Sequence, residues 1–113
     1  VGSDTAEKGN PLGRVLAANE RDALALNNLA WLLAADPATA RRSLDLLDRA
    51  AREAGITGDL LDTRGRTRIT LRQFELAERD LKEAVALEPT ALRWFHLAVL
   101  YLNQPSPQPD RAA

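Results

Sequence analysis

Residues 74–89 read FELAERDLKEAVALEP, and within them Phe74, Ala77, Leu81, Ala84 and Val85 recur at three- and four-residue steps. That spacing places side chains on one face of an α-helix. The other side carries Glu75/Arg79, Glu78/Lys82 and Arg79/Glu83, opposite charges four apart that add about 0.2–0.5 kcal/mol each. Pro89 ends the run. The stretch is an amphipathic helix with a narrow buried stripe of alternating small and large residues, and it sets the style for the rest of the chain.

Four more helices follow from punctuation. Upstream, Asp36-Pro37 supplies an N-cap and a proline at the first helical position, and Leu44, Leu47, Ala51 and Ala54 carry a stripe to Gly55; a helix over 37–54 results. Before it, Asp22 can cap a helix over 22–35 with Leu26, Leu29, Ala30 and Leu33 inward. After the connector Ile56-Thr57-Gly58, a third helix holds Leu61, Gly65, Arg68 and Ile69, and turns at Leu71-Arg72-Gln73 into the 74–89 segment. Thr90 opens a fifth through Trp94, Leu97, Ala98 and Tyr101, closed near Asn103. Residues 1–10 read as a flexible segment, and 104–113, with Pro105, Pro107 and Pro109, as an extended disordered tail.

Composition agrees and excludes much else. Twenty Ala and twenty Leu in 113 residues, against 4% aromatic, favour an all-α class in a single domain. A net charge of −1 gives no field for holding nucleic acid or an anionic membrane. No cysteine is present and His96 is the single histidine, so thiol chemistry, disulfides and poly-His metal sites are unexpected, and no cofactor is implied. No secretion signal or membrane span is visible, and the chain reads as soluble. A cytoplasmic location is the weak default, with nothing in the residues to fix it. The Val-Gly-Ser start reads as a domain excised from something longer, a processed product being the alternative.

The chain also repeats itself. Ser43, Leu47 and Ala50 align with Ala77, Leu81 and Ala84 at a shift of 34; Leu29-Ala30, Arg64-Gly65 and Leu97-Ala98 follow one another at 35 and 33. This helix-turn-helix period, with small residues where helices approach, resembles the tetratricopeptide repeat. The large, large-small and large positions of that pattern fall on Leu26, Leu29-Ala30 and Leu33, on Leu61, Arg64-Gly65 and Arg68, and on Trp94, Leu97-Ala98 and Tyr101. The resemblance implies an α-α superhelix, a right-handed solenoid fragment over 11–103, with repeats at about 23–57 and 58–90 and a partial one at 91–103. The Ala/Leu/Arg-rich style is similar to bacterial members. Arg64 and Arg68 stand where large apolar residues are usual, and some members pair such an arginine with an aspartate on the second helix. An Arg64–Asp80 ion pair is therefore expected.

Stacked repeats of this kind leave a concave shelf of first helices. The resemblance places Leu24, Asn27 and Trp31, then Asp59, Asp62 and Arg66, then Leu92, Phe95 and Val99 on that shelf, apolar anchors around a charged centre. A non-catalytic scaffold binding a protein or peptide segment is the expected function, with Trp31 and Phe95 as anchors. Packing of Trp31, Phe95 and Val99 between adjacent first helices stays open as the alternative, and exposure decides. The family's chaperone-tail clamp needs Lys, Asn and Arg at places that here hold Asn27, Trp31, Leu92 and His96, so that ligand is not expected. Arg64, Arg66, Arg68 and Arg72 read as structural cations rather than a nucleic-acid patch, since no aromatic is interleaved for base stacking. His96 reads as a surface or packing residue. The second functional class is self-assembly through the fifth helix, which lacks a covering partner and leaves Val99, Leu100 and Leu102 to be exposed.

Overall fold

The computed structural model describes residues 11–105, with side chains from Ala18 onward. Five helices account for the described backbone, and no strand occurs in it: α1 Pro11–Leu33, α2 Pro37–Ala54, α3 Gly58–Thr70, α4 Phe74–Leu87 and α5 Ala91–Asn103. Among the described residues no helix is long and apolar enough to cross a membrane. The expected flexible start and nearly all of the expected proline-rich tail lie outside the described residues.

Local chemistry explains the boundaries of α2 to α5. Asp36 accepts a bond from the Ala38 amide at 2.9 Å ahead of Pro37. Thr57 and Thr90 receive the amides of Leu60 and Arg93, each at 3.1 Å, and start α3 and α5. Gly55 ends α2 at φ 85°, a left-handed position that suits a residue without Cβ. Arg72 ends α3 in the same region at φ 60°. The Gln73 amide reaches the Arg68 carbonyl at 2.8 Å and the Arg72 amide reaches Ile69 at 2.9 Å, the paired bonds of a Schellman motif.

The first helix begins earlier than the Asp22 cap suggests. No glycine or proline interrupts residues 14–35, so Asp22 lies within α1, exposed in mid-helix. A good capping residue cannot start a helix where the preceding turn is already helical.

Each helix packs on its chain neighbours, and α3 also touches α1 and α5; among the described residues α1 and α2 meet neither α4 nor α5. The helices therefore do not close into a bundle, and the extents are 64 × 29 × 19 Å. The radius of gyration is 17.2 Å, against about 13 Å for a compact chain of 100 residues. Two small cores serve instead of one: Ala30, Leu47, Ala50 and Leu60 around α1–α2–α3, and Ala77, Leu81, Leu97 and Leu100 around α4–α5. Where α3 crosses α4, a Cβ built on Gly65 would sit 2.5 Å from Leu81 Cγ. The Ser43 hydroxyl ties three helices, lying 2.8 Å from the Ala30 carbonyl and 3.0 Å from the Thr67 hydroxyl.

Five residues of the expected stripes are exposed. Leu29 is 43% exposed, Trp94, Ala98 and Tyr101 are open to solvent on α5, and Ala54 is exposed at the last residue of α2. Helices α1 and α5 lie at the two ends of the row, where no further described helix covers them. Of the helix-surface pairs expected on α4, Glu78–Lys82 closes at 3.5 Å; neither Glu75/Arg79 nor Arg79/Glu83 is among the ion pairs of the described residues.

Candidate interaction surface on α1, α3 and α5

The nine residues expected on one shelf come from α1, α3 and α5, the three helices that lie side by side. Contacts one period apart hold them in register. Arg66 stacks its guanidinium 4.2 Å from the Trp31 ring centroid and reaches the Trp31 carbonyl at 3.4 Å. Arg93 bonds Asp59 at 2.8 Å, and His96 Nδ1 lies 2.8 Å from both oxygens of Asp62; each of these pairs is separated by 34 residues. Residues 34 or 35 apart on adjacent helices of the row thus touch.

The apolar members behave as the shelf requires. Leu24 and Leu92 are exposed, Trp31 is 42% exposed, Phe95 is 61% exposed and Val99 is half-buried. Trp31 does both things weighed for it, covering Arg66 while keeping solvent-facing surface. Phe95 is not consumed by packing between helices.

The charged centre differs from expectation. Asp62 is 6% exposed and enclosed against His96, so it is structural and not offered to a ligand. A buried carboxylate needs such a partner, because an unpaired buried charge is costly. His96 is likewise buried and has a carboxylate at hydrogen-bond distance, which the sequence reading had not given it. The missed signal was the period itself: residues 34 apart on α3 and α5 become neighbours. Burial pulls the Arg66 guanidinium below its ordinary pKa, and the charge of Asp62 opposes this; it stays cationic at physiological pH.

Arg93 is a residue the sequence reading did not single out. Its guanidinium is held by Asp59, by the Ala84 carbonyl at 3.1 Å and by the Glu88 carbonyl at 2.8 Å. It thereby adds a second bond to the Ala84 carbonyl, which already accepts the Glu88 amide at 3.1 Å, and satisfies the Glu88 carbonyl just beyond the end of α4. Gly58 lies beneath it, where an added Cβ would be 2.9 Å from the guanidinium nitrogens.

The expected Arg64–Asp80 pair forms, and in bidentate geometry: Nε to Oδ2 at 3.0 Å and Nη2 to Oδ1 at 2.9 Å. Arg68 adds a third bond to Asp80 at 2.6 Å. The bond to Asp80 holds Arg64 above its ordinary pKa, against burial that pulls it down. Arg72 stacks 5.1 Å from the Phe74 ring centroid. All four arginines considered as a nucleic-acid patch thus engage this chain's own groups.

No known protein family, curated protein or solved structure matches the chain. Next to Leu24, Asn27 and Asp59 a cavity of about 300 Å³ opens between α1, the end of α2 and the start of α3. Among the described residues no three His, Cys, Asp or Glu side chains are grouped as a metal ion requires.

Proposed function

We propose that this chain is a non-catalytic tetratricopeptide-repeat module, its helix pairs forming part of a right-handed superhelix, that binds a segment of a partner protein across α1, α3 and α5. The single observation that carries the reading is the exposure of Trp31 and Phe95 on the two outer helices of that row, with Leu24 and Leu92 beside them. Large aromatic surface left open on an otherwise registered face is what an energetic anchor looks like. The 34-residue contacts between α3 and α5 support the repeat assignment, because they join residues one place away from equivalent positions of consecutive units.

The test is selection of displayed random peptides on the immobilised chain, followed by capture of the enriched peptides by a Trp31→Ala, Phe95→Ala variant of unchanged circular dichroism. Loss of capture by about tenfold or more, the scale of one hot-spot residue, is expected. Undiminished capture removes both residues from the binding surface.

Self-assembly through α5 is the second reading, favoured by the exposure of Trp94, Tyr101 and Leu102. Leu100, expected on that face, is fully buried against α4. A strictly monomeric sedimentation profile at high concentration sinks it.

A further inference from the structure

The cavity beside Leu24 occupies a special place once the repeat is applied to it. At the junction of α3, α4 and α5, Arg93 is held by the carbonyls of Ala84 and Glu88, over Gly58 and beside Asp59. Shifted back by one period, Ala84 and Glu88 become Ala50 and Ala54, Gly58 and Asp59 become Ala23 and Leu24, and Arg93 becomes Leu60. All five of those counterparts line the cavity. The first junction is thus built like the second, with a leucine in place of the arginine and open space beyond it.

The chemistry of that space suits a cation with an apolar stem. Glu20 brings a carboxylate to its wall, Asp59 brings a second whose Oδ1 already pairs with Arg93 at 2.8 Å, and no Lys, Arg or His is among the lining residues. The C-terminal turn of α2 at Ala54 and Gly55 adds the negative end of a helix. Asn27 contributes an amide whose buried Oδ1 has no donor among the described residues. Ala23, Leu24, Ala50 and Leu60 provide an apolar wall for a methylene stem.

We infer that this cavity is a subsite for an arginine side chain of the bound partner, filled in trans at the first junction as Arg93 fills its counterpart in cis. The inference rests on the groove reading above and names the chemistry that one end of the groove recognises. A planar guanidinium suits a carboxylate set beside carbonyl acceptors, because its donors are fixed in a fork.

The test uses the whole chain and no peptide. Nα-acetyl-L-arginine amide is titrated into the ¹⁵N-labelled protein, with the citrulline derivative as the neutral isostere. Saturable amide shifts confined to residues 20–27 and 54–60, about tenfold weaker for citrulline, are expected for a charge-assisted contact. Glu20→Gln, at an exposed position, should weaken the arginine derivative about threefold, the size of one exposed ion pair. Leu60→Arg should abolish the shifts by filling the space from within; should that variant not fold, Glu20→Gln decides. Equal shifts from arginine and citrulline, no shifts at all, or indifference to Glu20→Gln would overturn the subsite. Because Trp31 and Phe95 play no part in this titration, its failure is separate from failure of the groove, which is read by peptide capture.

Discussion

The two helix pairs are joined at corresponding sequence places by opposite chemistry. In the second pair, Arg64 and Arg68 of α3 converge on Asp80 of α4. One period earlier the same three places are Leu29, Leu33 and Leu46, and Leu46 packs against the α1–α2 core. At the crossing, Ala30 over Leu47 in the first pair becomes Gly65 under Leu81 in the second. An apolar cluster and an ionic triad thus serve the same joint. Side chains of similar reach thus occupy both sets of places, and their polarity has changed in all three members together. A lone substitution within the triad leaves a charge without its partner; a concerted one does not.

The largest effect should come from breaking that set. Asp80→Leu strands two arginines that are about four-fifths covered, and we expect a loss of about 2–4 kcal/mol, somewhat below the 3–5 of a fully buried pair. The triple variant Arg64→Leu, Arg68→Leu, Asp80→Leu gives the second pair the chemistry of the first, and should unfold in urea at or above the wild-type midpoint. A triple variant as weak as the single one would break the equivalence of the joints. Next comes the α3–α5 contact: His96→Leu leaves Asp62 buried without a partner and should cost about 2 kcal/mol in the same assay. Gly65→Ala tests the close approach of α3 to α4. Helix propensity favours alanine by about 1 kcal/mol, but Leu81 must move aside at a cost of about 1–3 kcal/mol, so a small net loss is expected.

The smallest effect is a pH dependence confined to the second half. The Tyr101 hydroxyl donates to Glu78 at 2.7 Å. That bond lowers the pKa of Glu78 and raises that of Tyr101. The Glu78 contribution is present above the unfolded carboxylate pKa and is lost as pH falls through the lowered folded value. The Tyr101 contribution is present below the unfolded phenol pKa and is lost as pH rises through the raised folded value. Both groups are largely in solvent, so screening keeps the effect slight. Thermal unfolding of Tyr101→Phe should lose this shallow dependence and little else.

Much of this fold was legible in the residues, and the failures have physical causes. Asp36-Pro37, Gly55 and Thr90 mark helix ends because capping is a local event, and α2 was placed at its observed bounds. Asp22 misled because a capping residue in mid-helix looks the same as one at a start. Leu29 and Trp94 carry the right type for a buried stripe, but burial requires a neighbour, and at the ends of the row the described chain supplies none. Arg64–Asp80 could be foreseen since two apolar places had turned cationic. Asp62–His96 could have been, by applying the period to charged residues as well as leucines. The Arg93 nest and the cavity that mirrors it needed coordinates, because neither the carbonyls of α4 nor empty space has a letter in the sequence.

The claim on which the rest depends is that α1, α3 and α5 present one binding face and α2 and α4 its backing. Mapping ¹⁵N amide shifts of the chain on addition of a selected peptide tests it most directly. Changes centred on residues 24–31, 59–66 and 92–99 are predicted. Changes centred on α2 and α4, or on the Trp94–Tyr101 side of α5, would contradict it.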